Sequence, residues 1–172
     1  MALRNILEFG EPTLNKKSRP IKDYDARLRQ LLDDMRETMM ESNGVGLAAP
    51  QVGVLRRAVV VWDTNREDLP LEEQIVELIN PEILETEGEQ EGAEGCLSLP
   101  GKFGLVTRPY RVKVHAYDRT GKPFEVWGEG LTARAFCHEI DHLDGHLFVE
   151  HVSRMLTDEE LAAANAPGDE EE

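Results

Sequence analysis

The segment His138-Glu139-Ile140-Asp141-His142 constrains the fold of this chain more than any other part of its sequence. It lies in a stretch whose apolar residues keep helical spacing from about Thr132 to His142 or beyond, and Gly145 can end that helix. Side chains four residues apart lie one turn above each other, so both imidazoles can reach one cation. Glu139, rotated by about 100° around the helix axis, flanks that cation as a candidate base. The pattern predicts a metal site on a helix, and an exposed polar helix face is the alternative.

A third metal ligand has to come from elsewhere, because a catalytic divalent metal usually takes three protein ligands and leaves one position for water. One class of protease supplies a third histidine six residues after the second, but this chain has Phe148 at that position. Another class uses a downstream glutamate, for which Glu159 and Glu160 are candidates beside an acidic tail. Both protease interpretations are weakened, although a zincin-like metallo-endopeptidase stays open on the helix motif alone.

Cys96 is the better candidate for the third ligand. Gly95 permits close approach of backbone or substrate, and the run Leu97-Ser98-Leu99 before Pro100 predicts a strand that presents the thiol to the helix. A thiolate completes a Cys-His-His set that suits Fe(II), Zn, Ni or Co. A small buried cysteine with no metal role is the alternative interpretation of this residue.

Charge and cysteine content exclude several classes of function. The chain has 19 Lys+Arg and 34 Asp+Glu, a net charge of −15, so no basic face is expected for a nucleic-acid backbone. Its 2 cysteines, Cys96 and Cys137, indicate a reducing compartment. We find no signal peptide and no run of about 18 apolar residues that could span a bilayer. The sequence therefore predicts a cytoplasmic protein without a membrane or nucleic-acid partner.

The order of helices and strands predicts an α+β fold with mixed or antiparallel sheets around a C-terminal helix that carries the HExxH motif. A first amphipathic helix is expected from about Asp25 to Asn43, with Asn43-Gly44 as its stop. The strand-like runs are Ala58–Trp62, Glu77–Ile79 and Val112–Tyr117, and a turn at Asp118–Gly121 leads into Pro123–Trp127. We expect one catalytic domain over residues 1–165 and a disordered acidic tail over residues 166–172.

A third segment, Gly44-Val45-Gly46-Leu47-Ala48-Ala49-Pro50-Gln51, does not match a phosphate-binding loop, and alone it could be an ordinary connection. Together with Glu94-Gly95-Cys96-Leu97-Ser98 and the helix motif, in this order and spacing, it strongly resembles the peptide deformylase family. The resemblance runs from Leu7 to about Val152. It implies a metal-dependent hydrolase that removes the N-formyl group from the initiator methionine of new polypeptides and releases formate.

The resemblance also implies a role for each matching residue in the reaction. It makes Cys96, His138 and His142 the metal ligands, with Fe(II) as the expected ion and Zn, Ni or Co as replacements. Glu139 then takes the proton of the attacking water and delivers it to the leaving amine. Gln51 and the backbone N–H of Leu97 match the donors that stabilise the oxyanion.

Substrate recognition follows from the same resemblance. The peptide is expected to lie as an extra strand between the segments around Val45 and Gly95. The positions that match substrate-binding residues are Val45, Gly46, Gly95, Leu131, Arg134 and Ala135, with the ring of His138. Family members often carry aliphatic residues where this chain has Gly92 and Arg134, which makes the pocket more open or more polar.

The last set of matching residues supports the metal ligands. Glu94 and Arg108 match a charged pair that braces the cysteine segment, and Asp141 is expected to support the ligands from behind. The implied partners are N-formylmethionyl peptides and, transiently, the ribosome. The acidic residues near the end of the chain argue against docking on the ribosome by charge.

Overall fold

A computed structural model describes residues 2–164 of the chain, and the acidic tail predicted for residues 166–172 lies outside them. Its α-helices are α1 Ala26–Glu41, α2 Leu71–Gln74, α3 Leu131–Leu143 and α4 Asp158–Ala164. Its strands are β1 Gly46–Ala48, β2 Ala58–Trp62, β3 Ile75–Glu87, β4 Gln90–Cys96, β5 Leu99–Arg108, β6 Arg111–Tyr117, β7 Pro123–Glu129 and β8 Val152–Met155. Short 3-10 helices lie at Pro12–Asn15, Ala49–Val52 and Phe148–Glu150.

The strands form a five-stranded sheet in the order β1-β2-β3-β6-β7 and a three-stranded sheet in the order β4-β5-β8. Each pairing between these strands is antiparallel. The predicted α+β fold with antiparallel sheets is therefore confirmed. Strand β1 lies at one edge of the larger sheet and β4 lies at one edge of the smaller sheet, so both have backbone groups that no neighbouring strand pairs.

The part of the five-stranded sheet formed by β1, β2 and the first half of β3 is buried on both faces, because α1 covers one face and α3 covers the other. Val59 and Val61 of β2 pack in the same apolar cluster as α3, whereas Val60 packs in the cluster of α1. This alternation explains why β2 is a continuous apolar run, since a strand covered on both sides needs no polar face. The helix that carries both histidines is thereby fixed against the sheet. Among the described helices none is long and apolar enough to cross a membrane.

The structure corrects several predicted boundaries. The first helix ends at Glu41, and Asn43 takes the left-handed conformation after it, with φ of 58°. Strand β3 continues eight residues beyond the predicted end at Ile79, because its second half pairs with β6 outside the core. The predicted strand Leu97–Leu99 is wrong: Leu97 and Ser98 form the turn between β4 and β5. Cys96 is instead the last residue of β4, and this strand directs its thiol toward α3.

Candidate active site

The three motifs meet where β4, α3 and the segment after β1 come together. The Nε2 atoms of His138 and His142 are 3.3 Å apart. The Sγ atom of Cys96 is 3.4 Å from Nε2 of His142. One ligand atom from each residue lies within 4.8 Å of the others, so Cys96, His138 and His142 form one candidate metal site, which we call the metal-binding cluster.

The donor set fits a divalent metal ion. In a tetrahedral site with bonds of about 2.1 Å to nitrogen and 2.3 Å to sulfur, neighbouring ligand atoms lie about 3.4–3.6 Å apart. The distances in the Cys96, His138 and His142 cluster are close to these values. Burial, followed by the charge of His138, keeps the pKa of His142 well below its ordinary value, which favours the neutral ring that binds metals.

Glu94 orients His138 from behind. Its Oε2 atom lies 2.7 Å from Nδ1 of His138, so the Nδ1–H donates to the carboxylate and Nε2 is directed at the cluster. Arg108 donates to both oxygens of Glu94, at 3.1 and 2.7 Å, and Arg134 donates to Oε1 at 3.0 Å. Burial opposes ionisation, but the hydrogen bonds from His138 and Arg108 hold the pKa of Glu94 well below its usual range. Arg108 also reaches Asp141 at 2.9 Å, which closes the network at the surface.

Glu139 is buried beside the metal-binding cluster and points at β1. A Cβ atom on Gly46 would lie 2.5 Å from Oε2 of Glu139, so the glycine makes room for this carboxyl group. Its Oε1 atom has no hydrogen-bond partner among the described residues. Burial raises the pKa of Glu139 to about 7, although the positive charge of His138 opposes the shift. A carboxyl group with this pKa can both accept and return a proton near neutral pH.

Gln51 is fixed by hydrogen bonds on both ends of its amide. Its Oε1 atom accepts from the backbone N–H of Ala48 at 2.9 Å. Its Nε2 atom donates to Oγ of Ser98 at 3.1 Å and lies 3.5 Å from Sγ of Cys96. The amide donor therefore points at the metal-binding cluster, as an oxyanion donor has to. Leu97 follows Cys96 directly, at the turn into β5.

A cavity of about 570 Å³ opens directly beside this cluster. Its wall includes the predicted positions Val45, Gly46, Gly95, Leu131, Arg134 and Ala135, together with Cys96, His138 and Glu139. Sequence reasoning missed other wall residues, among them Ile6 from the N-terminal segment and Phe103 from β5. Neither belongs to a motif, so no sequence signal marks them.

Two supporting residues were also missed by sequence reasoning. Ser98, which is fully buried, orients Gln51, and its place two residues after Cys96 was the signal that could have identified it. Phe148, rejected as a ligand position, stacks on His138 with ring centroids 5.8 Å apart at 30°. Cys137 points into the apolar cluster, and burial raises the pKa of its thiol to about 11. These positions show that the cluster is supported by packing as well as by hydrogen bonds.

Comparison with known proteins agrees with this geometry. The family model described as polypeptide deformylase matches residues 3–158. A peptide deformylase of Lachnoclostridium phytofermentans is 61% identical over 155 residues, which cover 89% of this chain and 91% of that protein. Peptide deformylase 1 of Bacillus subtilis is 46% identical over 162 residues, 94% and 98% of the two chains. The crystal structure of the peptide deformylase from Thermotoga maritima superposes with a TM-score of 0.82 at 39% identity, covering 89% of this chain and 99% of that one.

Proposed function

This chain belongs to the polypeptide deformylase family and is a metal-dependent hydrolase, and we propose how its own residues carry out deformylation of N-formylmethionyl peptides. In this proposal Cys96, His138 and His142 bind the metal ion. The observation that carries it is the convergence of these three ligand atoms beside a buried glutamate and an oriented amide. The soft Cys-His-His set supports Fe(II) as the ion in the cell, with Zn, Ni or Co as replacements.

Glu139 is the group that moves the proton. When bound, the metal ion supplies a Lewis acid for the formyl group and lowers the pKa of water at the site. The carboxylate of Glu139 accepts a proton from that water as the oxygen attacks the formyl carbon. It then gives the proton to the amine nitrogen as the C–N bond breaks, so that one formamide and one water become formate and a free amine.

Gln51 and Leu97 stabilise the negative charge that grows on the former formyl oxygen. The side-chain Nε2–H of Gln51 and the backbone N–H of Leu97 are the proposed donors. Support for Gln51 comes from its hydrogen bonds to Ala48 and Ser98, which fix the donor before substrate arrives. Loss of one such donor typically costs about 10²–10³ in rate.

The peptide backbone is proposed to bind between two sheet edges. Strand β1 and strand β4 are both edge strands, and residues of both line the cavity beside the metal-binding cluster. An extended peptide can pair with the backbone near Val45, Gly46 and Gly95 without regard to its sequence. Only its first side chain then enters the cavity, where Leu131, Arg134 and Ala135 line the wall.

The remaining parts of the proposal concern the whole chain. Residues 1–165 are proposed to form a single catalytic domain, supported by the fact that segments far apart in the chain, from Ile6 to Glu139, line one cavity. Residues 94, 108 and 141 support the ligands as a charged network. We place the protein in the cytoplasm, where it meets new chains in transient contact with the ribosome.

Formate release from formyl-Met-Ala-Ser tests the proposed function directly. Protein loaded with Ni(II), or with Fe(II) under anaerobic conditions, is expected to release one formate per peptide. The Glu139→Gln variant is expected to lose about 10²–10⁴ of the rate, because amide side chains do not transfer protons. Glu72→Gln, on the exposed surface of α2, is the matched control and should keep the wild-type rate.

Two results would contradict this function. The first is the absence of formate with either metal in protein that has bound a stoichiometric amount of the ion. The second is cleavage of an internal bond in an unformylated peptide, which would favour a zincin-like endopeptidase instead.

A further inference from the structure

Arg134 is a charged residue in the wall of the cavity beside the metal-binding cluster. It lies on α3, one turn before His138, and only 7% of its surface is exposed. The neighbouring wall residues Val45, Leu131 and Ala135 are apolar. The guanidinium group of Arg134 therefore brings several N–H donors into this wall.

Within the described residues, two of the three nitrogen atoms of the Arg134 guanidinium make no hydrogen bond. Both of its hydrogen bonds within the described residues come from Nη1, to Oε1 of Glu94 and to the carbonyl oxygen of Val106, each at 3.0 Å. In that part of the chain Nη2 and Nε donate to no side chain or carbonyl. Gly92 of β4 faces Nη2, and a Cβ atom there would lie only 3.3 Å from it. The glycine therefore leaves the Nη2 edge uncovered on the side of β4.

The proposed function places the first side chain of the substrate in this cavity. In an N-formyl peptide the first Cα is two bonds from the formyl carbon that reacts. With that carbon held near Cys96, His138 and Glu139, the first side chain has to enter the space that these residues share with Arg134. Apolar wall residues can hold its aliphatic part, and Arg134 is the wall residue with unused N–H donors for its polar end.

We propose that Arg134 is a specificity-determining residue that donates a hydrogen bond to the end of the first side chain. This proposal rests on the proposed function. It names a substrate class: N-formyl peptides whose first side chain is long, apolar along its stem and ends in a hydrogen-bond acceptor. Methionine sulfoxide, with a strong sulfoxide oxygen, fits this class best. The thioether of methionine is a weak acceptor, and norleucine has the same shape with no acceptor.

A donor that only water satisfies discriminates between such substrates. When norleucine fills the cavity, it removes water from the guanidinium and provides no hydrogen-bond acceptor in its place. A sulfoxide oxygen replaces that water by an acceptor to a charged donor, which is stronger than a bond between neutral groups. We expect an advantage of about tenfold in kcat/KM for methionine sulfoxide over norleucine.

The test compares formyl-Met(O)-Ala-Ser, formyl-Nle-Ala-Ser and formyl-Met-Ala-Ser on the wild type and on Arg134→Leu, all loaded with Ni(II). The measured quantity is the ratio of kcat/KM for the sulfoxide and norleucine peptides within each enzyme. A ratio cancels any loss of rate that follows from the missing bond between Arg134 and Glu94. The ratio is expected to fall about tenfold in Arg134→Leu, and an equal ratio in both enzymes would overturn the proposal.

A second variant keeps the test decisive if Arg134→Leu does not fold. Gly92→Val keeps Arg134 and both acceptors of its Nη1, and it places against Nη2 a side chain that suits a strand. It should lower the same ratio, whereas an unchanged ratio again contradicts the proposal. The formyl-Met peptide separates the two hypotheses: its deformylation by the wild type supports the proposed function whether or not the ratio depends on Arg134.

Discussion

Two buried glutamates of this protein are held in nearly the same way on opposite sides of the five-stranded sheet. Glu94 faces α3, and Glu77 of β3 faces α1. Each accepts a bidentate arginine and a second arginine, and each bidentate arginine also pairs with an aspartate. The Glu94 cluster consists of Glu94, Arg108, Arg134, Asp141 and His138, and the Glu77 cluster consists of Glu77, Arg36, Arg119 and Asp33.

The clusters differ in solvent exposure and in one partner. The arginine side chains of the Glu94 cluster are 7% and 8% exposed, whereas those of the Glu77 cluster are 24% and 29% exposed. Only Glu94 also binds a histidine of the metal-binding cluster. The same ion-pair arrangement therefore joins α1, β3 and the β6–β7 turn in one case, and orients a histidine of the candidate metal site in the other.

Replacement of Glu94 gives the largest expected effect. In Glu94→Gln the strong acceptor for Nδ1 of His138 is lost, so the ring is less basic and less well oriented. We expect the affinity for the metal to fall about 10–100-fold, and kcat/KM to fall with it at limiting metal. Titration against a competing chelator measures this affinity. Glu77→Gln is the matched control and should bind the metal as the wild type does. If Glu94→Gln also binds the metal as the wild type does, Glu94 has no special role in metal binding.

Replacement of Glu77 should act on stability without touching the reaction. In Glu77→Gln the charge-assisted bonds to Arg36 and Arg119 are lost, but both arginines keep access to water, which limits the cost. We expect the free energy of unfolding to fall by about 2 kcal/mol, measured by urea unfolding of the metal-loaded protein. Its kcat/KM should stay at the wild-type value. A fall in kcat/KM comparable to that of Glu94→Gln would show that the Glu77 cluster is not independent of the site.

The sequence predicted the elements that depend on local patterns, and it predicted which side chains come together at the candidate metal site. Helical spacing identified α1 and α3 to within two residues, and the order of motifs identified Cys96 as the partner of the histidines. It could not predict the Glu77 cluster, because Arg119 is 42 residues from Glu77 and becomes its neighbour only when β3 pairs with β6. Leu97 and Ser98 have the composition of a strand, but the β4–β5 turn needs two residues at that point. Tertiary pairing overrode local preference there.

The pH dependence of the unfolding free energy gives the smallest expected effect. Burial opposes ionisation of Glu77, yet the hydrogen bond from Arg119 and the charge of Arg36 lower its pKa. Because the folded-state pKa lies below the unfolded value of about 4.3, the unfolded chain binds the proton first. The stabilisation is therefore complete above that pH and is lost as the pH falls through the folded-state pKa.

Glu77→Gln cannot gain this proton, so the difference in unfolding free energy between wild type and variant should shrink as the pH falls from 7 to 3. The expected loss is a fraction of the difference of about 2 kcal/mol at neutral pH. Urea unfolding of both proteins at several pH values measures it. A constant difference would mean that the Glu77 carboxylate contributes through packing and not through its charge. The Glu77 and Glu94 clusters would then be alike in geometry but not in electrostatics.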